Sequence, residues 1–244
     1  MKKRKKPLPN GHRAIMGDRV HPNGARDNFP TPPWSTRALF EHVFPSPLQN
    51  LGNYRVWEPA CGAGHMAEVL GEYFGEVFAT DKYSYHSNGR EAPYWLDQVD
   101  FLKSKPGDII PDDVDWTITN PPFGKLSELF ILKALEISRV GVAMFLRSQW
   151  LETVGRYERI FKPHPPAIIA QFAERVPLCK GRWNPDGSTA TSYCWVVWLK
   201  RHSGPTQFMW IPPGQRTALT RPDDRVRFTA RPVLPASPSA SAAA

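Results

Sequence analysis

The chain has 244 residues, of which 41% are hydrophobic, so it can bury a core, and wholesale disorder, collagen and coiled coil are excluded. Its longest apolar runs, such as 142–146 and 193–199, are far shorter than the ~20 residues of a transmembrane helix. The three cysteines have no Cys-x-x-Cys spacing, which argues against a disulfide framework or a zinc site and suits a reducing cytoplasm. These features predict a cytoplasmic protein that does not act at a membrane.

The net charge of +8 is distributed unevenly along the chain. Residues 1–26 carry eight basic and one acidic side chain, residues 27–136 eight and sixteen, and residues 137–244 fifteen and six. A basic arm and a basic C-terminal half therefore flank an acidic middle. This asymmetry favours a polyanion bound on one side and a different ligand on the other, although a solvated tail would explain the arm alone.

Residues 1–28 lack periodicity and are predicted to be a flexible basic arm. Residues 232–244 are of low complexity and are predicted to be a disordered tail. A single domain is expected between them, over residues 29–231.

Short apolar runs alternate with helical patterns in this domain. We predict helices over 35–44 (with Ser35 as the cap), 65–74 and 126–138, and strands at 55–58, 77–80, 98–101, 116–119, 142–146, 167–173 and 192–199. The alternation predicts an α/β fold with a mostly parallel sheet and helices on both faces. Ligands of such sheets bind beyond the carboxyl ends of the strands, where the sequence has Glu58, Asp81, Asp100 and Asn120.

The first motif runs from Glu58 to Gly64, between a strand and a helix. Gly62 and Gly64 permit a tight turn and a close approach of a ligand to the backbone. Asp81 follows nineteen residues after Gly62, at a strand end where an acidic side chain can accept hydrogen bonds from ribose hydroxyls. The dinucleotide fingerprint lacks its third glycine, since position 67 is Ala, which disfavours a pyrophosphate ligand. A glycine turn beside a surface carboxylate is the alternative.

The second motif, Asn-Pro-Pro-Phe, runs from Asn120 to Phe123 and directly follows the fourth predicted strand. The Asn120 side-chain oxygen and the Pro121 carbonyl can both accept hydrogen bonds from one planar amino group. Proline fixes φ near −65°, so the carbonyl direction is preset. Phe123 offers a face on which a flat ring can stack. An ordinary proline turn is the alternative.

Together, these motifs resemble those of class I S-adenosylmethionine-dependent methyltransferases, specifically the amino-methyltransferases with an N/D-P-P-Y/F/W motif. The resemblance is in particular to DNA adenine-N6 methyltransferases, including solitary and phage-type enzymes, and covers roughly residues 29–200. The cofactor motif precedes the catalytic motif, as in the gamma arrangement of that family. The resemblance implies a Rossmann-like methyltransferase fold with a seven-stranded sheet, in a cytoplasmic protein encoded by a bacterium or a phage.

The resemblance also implies S-adenosyl-L-methionine as the cofactor. Thr31 and its prolines would line the methionine end, Glu58 and the glycine turn would hold the amino-acid part, and Asp81 would bind the ribose. Asp100 would accept from the adenine amino group, a role that Asp97 could take instead. The full set is Thr31, Pro32, Glu58, Pro59, Ala60, Cys61, Gly62, Gly64, Asp81, Asp100, Phe101 and Asn120.

The implied catalytic residues are Asn120, Pro121, Pro122 and Phe123. A nucleobase amine is a poor nucleophile, and two acceptors favour its pyramidal form and stabilise the charge that develops on methyl transfer. A thiol nucleophile is not needed, so Cys61 is interpreted as a loop residue. The commonest pattern has Tyr where this chain has Phe123, but stacking needs only the ring.

A base in a duplex must be flipped out to reach such a pocket. Loops around 147–166 and 175–191 are expected to contact DNA, with solvated charges on an ordinary hairpin loop as the alternative. The expected contact residues are Arg147, Gln149, Trp150, Arg156, Lys180, Arg182, Trp183 and Asn184. Three alternatives are methylation of cytosine N4, of adenine in RNA or of a glutamine side chain in a protein. A fourth is an inactive methyltransferase fold that only binds nucleic acid. No histidine forms a metal or triad pattern, so no metal is predicted.

Overall fold

The computed structural model of the chain describes residues 28–44, 50–83, 95–105, 107 and 114–228, with residues 95–97 described by their backbone only. All but residue 28 of the predicted arm, and all of the predicted tail, lie outside these ranges. Within them, no helix has the length and apolar character that crossing a bilayer requires.

A single sheet of eight strands forms the centre, in the order β3-β2-β1-β4-β5-β7-β6-β8. The five strands from β3 to β5 are parallel, β7 is antiparallel to both β5 and β6, and β8 is parallel to β6. The strands are β1 (Arg55–Glu58), β2 (Glu76–Asp81), β3 (Trp95–Gln98), β4 (Trp116–Thr119), β5 (Gly141–Arg147), β6 (Ile168–Phe172), β7 (Tyr193–Leu199) and β8 (Gln207–Ile211).

Helices cover both faces of the sheet, as predicted, and each face has its own apolar core. Trp34 of α1 and Met66 of α2 are buried in one core, and Ile131 of α3 is buried in the other. The helices are α1 (Pro33–Ala38, extended by a π-helical turn over Leu39–Val43), α2 (His65–Leu70), α3 (Lys125–Ile137), α4 (Val154–Arg156), α5 (Gln215–Leu219) and α6 (Asp224–Phe228).

The sheet has a topological switch point at β1, which pairs with β2 on one side and β4 on the other. The chain therefore winds in opposite directions from β1, and a crevice opens beyond the carboxyl ends of β1 and β4. Glu58 ends β1 and Asn120 follows β4, so the two predicted motifs lie on the two sides of this crevice.

Three elements differ from the prediction by two or more residues at one end or the other. β3 spans Trp95–Gln98 rather than 98–101, and it ends at Gln98 because β2 ends at Asp81, the partner of Gln98, and offers no pairing beyond it. The first helix begins at Pro33, a favoured first-turn residue, so Ser35 lies inside it and donates to the Pro32 carbonyl (2.7 Å). The helix predicted over 65–74 ends at residue 70 and is followed by a turn.

The α/β fold class is confirmed, and each of the seven predicted strands overlaps a strand of the sheet. The eighth strand, β8, is an addition that the sequence analysis missed.

Candidate active site

An open cleft of about 1040 Å³ occupies the crevice at the switch point. It brings together most of the residues that the two motifs predicted. Two predicted residues, Pro32 and Gly64, do not line it. Pro32 directly precedes α1, and Gly64 directly precedes α2. The predicted residues that line the cleft are Thr31, Glu58, Pro59, Ala60, Cys61, Gly62, Asp81, Asp100, Phe101, Asn120, Pro121, Pro122 and Phe123.

The glycine turn is joined to the end of β2. Gly62 and Gly64 have φ values of 54° and 82°, in the left-handed region where a side chain is strained. The Gly62 amide donates to Asp81 Oδ2 (2.9 Å), and the Tyr83 amide donates to Asp81 Oδ1 (2.9 Å). Asp81 therefore holds the turn in place.

Glu58 is the most unusual polar group in the cleft wall. Its side chain is 2% exposed, and Oε2 is buried without a hydrogen-bond partner among the described residues. Burial raises the pKa of the Glu58 carboxyl well above its ordinary value, and the nearby Asp81 charge raises it further, although a hydrogen bond from the Ala67 backbone opposes this. A buried carboxyl with an unused acceptor fits a cationic ligand group.

Asp100 and Phe101 lie in the turn after β3. Asp100 forms an ion pair with Lys82 (3.2 Å), so part of its accepting capacity is already used within the protein. Phe101 is 1% exposed and packs edge-on against Trp57, with ring centroids 4.9 Å apart. Asp97, the alternative to Asp100, belongs to β3, and its side chain is outside the described part of the chain.

The Asn120 amide is held in one orientation. Its Nδ2 donates to the Phe29 carbonyl (3.2 Å) and to Thr31 Oγ1 (3.1 Å). The Phe29 carbonyl can only accept, so this side of the amide must be the nitrogen, and Oδ1 points the other way. The Asn120 hydrogen bonds identified in the structure are both made through Nδ2. The side-chain oxygen is thus presented as an acceptor at the cleft.

The ring of Phe123 lies between two other side chains. Its centroid is 5.3 Å from that of Phe29, at an interplanar angle of 50°. The Arg147 guanidinium, at the end of β5, lies 4.4 Å from the Phe123 ring centroid. Arg147 was predicted to contact nucleic acid, and the structure places it directly beside the Asn-Pro-Pro-Phe motif.

A second cleft, of about 600 Å³, adjoins the first. Pro121 and Phe123 line both clefts, so the Asn-Pro-Pro-Phe motif lies at the boundary between them. The predicted nucleic-acid residues that line the second cleft are Arg147, Gln149, Trp150 and Arg156.

Arg156 makes several contacts within the protein. Its guanidinium donates to Glu128 (3.2 Å) and to the Trp150 carbonyl (3.0 Å), and it lies 4.7 Å from the Trp150 ring centroid. The Trp150 indole in turn donates to Ser127 Oγ (2.7 Å). The charge of Arg156 is therefore matched inside the protein, where it fixes the Trp150 wall of the second cleft.

The 175–191 loop requires one correction. Trp183 was predicted to contact nucleic acid, but it is 2% exposed and packs with Val69 of α2 and Phe228 of α6. Burial of its large apolar surface anchors the loop to α2 and α6. Lys180 and Arg182 flank this anchor and are exposed, whereas Asn184 is half-buried and its Oδ1 accepts from the Asp186 amide (3.1 Å).

Several residues that line the first cleft were not predicted from the sequence. Phe29 supplies the carbonyl that orients Asn120, and its position just before Thr31 was the available signal. His65 lines the cleft and bonds through Nε2 to the Phe228 carbonyl (3.0 Å), and burial lowers the pKa of His65 to about 4. Lys82, Tyr83 and Met66 also line the cleft.

Two further groups bear on the chemistry of the cleft. Burial raises the pKa of the Cys61 thiol, which keeps the sulfur protonated and a weak nucleophile. Among the described ranges, no group of three His, Cys, Asp or Glu side chains has an arrangement that could hold a metal ion.

No family model and no curated protein matches the sequence. Solved structures do match its fold. One, provisionally assigned as a class I S-adenosylmethionine-dependent methyltransferase from Listeria monocytogenes, superposes with a TM-score of 0.55 at 13% identity, over 81% of this chain and 70% of that one.

Two similar structures belong to type I restriction systems. The methyltransferase subunit from Streptococcus thermophilus has a TM-score of 0.56 at 12% identity, over 76% of this chain and 48% of its own. A modification subunit of a provisionally assigned restriction enzyme from Vibrio vulnificus YJ016 has a TM-score of 0.52 at 20% identity, over 83% and 50%. This chain spans about half the length of these two proteins, and at such identities the similarity shows the fold, which is that of class I methyltransferases.

Proposed function

We propose that this protein transfers a methyl group from S-adenosyl-L-methionine to an exocyclic amino group of a nucleobase, and that the target is adenine N6 in DNA. The oriented Asn120 amide, which presents Oδ1 at the first cleft directly before Pro121, a residue that lines both clefts, is the observation that carries the proposal. The shared fold with class I methyltransferases and with restriction-system modification subunits supports it.

The first cleft suits S-adenosylmethionine. The orphaned acceptor of Glu58 fits the ammonium of the methionine part, and the Gly62 turn, which has no side chain, gives a ligand close access to the backbone. Asp81 lines the cleft at the position where ribose hydroxyls would donate hydrogen bonds to it. Phe101 lines the same cleft, where it would lie beside the adenine ring of the cofactor. When bound, the sulfonium of this cofactor supplies an electrophilic methyl group.

Asn120 and Pro121 act on the methyl acceptor. The target amine would donate one hydrogen bond to Asn120 Oδ1 and one to the Pro121 carbonyl, and these bonds favour a pyramidal nitrogen with a localised lone pair. As positive charge develops on that nitrogen, the same two acceptors stabilise it. Because Nδ2 is already bound to Phe29 and Thr31, the acceptor is preorganised before the substrate arrives.

The second cleft provides room for a flipped base beside Phe123. The Arg147 guanidinium now lies over that ring, so a stacking base would displace it. Once displaced, its positive charge is available to a neighbouring phosphate.

DNA is favoured as substrate over protein because the residues after 136 carry a balance of +9, from fifteen basic and six acidic side chains. Cytosine N4 and RNA adenine offer the same kind of amine and are the nearest alternatives. A glutamine side chain in a protein is a further one.

Radiolabelled methyl transfer to DNA, RNA and protein, measured in parallel, tests the proposal. We expect transfer to DNA at adenine. Asn120→Ala should lower turnover by about 10²–10³-fold while cofactor affinity stays within about threefold, as is typical when one preorganised transition-state contact is lost.

Thr31→Val is the matched control, since it removes one of the Asn120 Nδ2 contacts but keeps the Oδ1 acceptor. Its turnover should fall much less. Equal losses in both variants would show that Asn120 serves only to anchor the 29–31 segment, and transfer to protein alone would refute the nucleobase assignment.

A further inference from the structure

β8 is the edge strand of the sheet and carries two exposed aromatic side chains, Phe208 (57% exposed) and Trp210 (61%). We call this pair the aromatic platform. The rings contact each other edge to face, with centroids 5.2 Å apart at 86°. Ile211, on the opposite side of the strand, is fully buried in the core. The fold therefore does not require the two large rings that β8 presents to solvent.

The pairing of strands shows which side of the sheet the aromatic platform occupies. Trp210 pairs with Gln171, Gln171 with Cys194, and Cys194 with Leu146. Directly opposed residues share a face, so the platform lies on the same face as Leu146, which lines the second cleft. Three strand spacings of ~4.8 Å separate Trp210 from Leu146, a distance of about 14 Å.

Gln171 links this row to the candidate active site. Its Oε1 accepts from Ser148 Oγ (2.6 Å), and Ser148 directly follows Arg147. Gln171, the residue that pairs with Trp210, is thus hydrogen-bonded to the residue that follows Arg147 of the second cleft.

Two cations lie at the strand ends near this row. Arg147 ends β5, and the exposed Arg175 follows β6. No ion pair within the described ranges involves either guanidinium, and Arg175 is held by the Ala190 carbonyl and by Ser192 Oγ, which carry no charge. Exposed aromatic rings beside uncompensated positive charge match single-stranded nucleic acid, whose bases stack and whose phosphates are anionic.

We infer that the aromatic platform is a second nucleic-acid site, which stacks unpaired bases a few nucleotides away from the target base. This inference rests on the proposed function, and it deepens that function by naming a substrate with unpaired nucleotides next to the target. At the 3.4 Å rise of a stacked strand, about 14 Å corresponds to roughly four nucleotides.

The test uses the full chain and fluorescence anisotropy with a labelled 16-nucleotide single strand that contains adenine, and with its duplex. The double variant Phe208→Ala/Trp210→Ala should bind the single strand at least about tenfold more weakly, because stacking of each base contributes measurably. The duplex, whose bases are already stacked on one another, should lose much less affinity in the double variant. Val226→Ala, at an exposed apolar residue of α6, is the control and should leave affinity unchanged.

Equal affinities of the double variant and the wild type for the 16-mer would overturn the inference. A wild-type dimer that the double variant abolishes would also overturn it, because β8 would then be an interface between copies of the chain. Methyl transfer, measured on the same samples, separates the two proposals. Stacking without transfer on any nucleic acid would refute the proposed function alone, and transfer that is indifferent to the platform would refute this inference alone.

Discussion

At the scale of single residues, we expect Glu58 to couple ligand binding to pH. Its carboxyl is buried, and its pKa lies well above the ordinary value, so the free protein holds a proton there at pH values where an exposed glutamate is ionised. A cationic ligand group needs the carboxylate, and binding therefore releases this proton. Below the raised pKa, affinity for S-adenosylmethionine should fall by up to about tenfold per pH unit, and above it the affinity should level off.

Titration calorimetry in buffers of different ionisation enthalpy measures the released proton directly. Glu58→Gln keeps the shape of the side chain but has no proton to release. Its binding should be weaker and nearly independent of pH over this range. A wild-type affinity as flat as that of the variant would show that Glu58 does not face the cationic group.

Sequence reasoning located the main groups of the cleft but not their supports. Glu58, Asp81 and Asn120 were found because each follows an apolar strand. The bond from Asn120 to the Phe29 carbonyl joins residues 91 positions apart, and local patterns do not contain such contacts. Trp183 was misassigned for the same reason, since its burial depends on Val69 and Phe228, which belong to distant segments.

At the scale of elements, a buried ion cluster joins α1, the turn after α2, and α6. Arg37 donates to Glu72 (2.8 Å) and to Asp224 (2.6 Å), and Asp224 is fully buried. Burial alone would lower the pKa of Arg37, but the hydrogen bonds to both carboxylates outweigh it and raise the pKa above the ordinary value. The cluster keeps α6 beside α2, where the Phe228 carbonyl accepts a hydrogen bond from His65 Nε2.

Asp224→Ala should lower the free energy of unfolding by about 3–5 kcal/mol, because it leaves part of a buried cation uncompensated. Arg55→Ala is the control, since its pair with Glu76 is solvent-accessible and should be worth less than about 1 kcal/mol. Urea unfolding measures the free energy of unfolding of both variants, and an m-value equal to that of the wild type shows that the difference is one of stability. Similar losses in the two variants would mean that the cluster adds no more than a surface ion pair.

Strands and helices were predicted correctly where a single hydrophobic pattern in the sequence identifies them. The strands of the parallel half are buried on both faces, so they stand out as short apolar runs. β8 was missed because its burial is poor, with only Ile211 buried among its five residues. The end of β3 was misplaced because a strand ends where its partner ends, and that depends on β2 rather than on the sequence of β3.

At the scale of the whole molecule, the uneven charge predicts how binding of DNA depends on salt. Residues 1–26 carry eight basic side chains, and the part after residue 136 carries fifteen. Each phosphate that such side chains neutralise should contribute about −0.9 to the log–log slope of affinity against salt concentration. A steep slope is therefore expected for the full chain, and deletion of residues 1–26 should flatten it.

The deletion should weaken binding about equally for all DNA sequences, because Lys and Arg contacts to phosphates carry no base information. Replacement of the eight basic residues by Gln, at unchanged length, is the matched control and should flatten the slope by the same amount. Arg182→Ala, in the loop beside the buried Trp183 anchor, should instead change which sites are methylated, as read by sequencing of methylated DNA. A shifted methylation motif after arm deletion, with an unchanged motif in the Arg182 variant, would reverse the roles of the two regions.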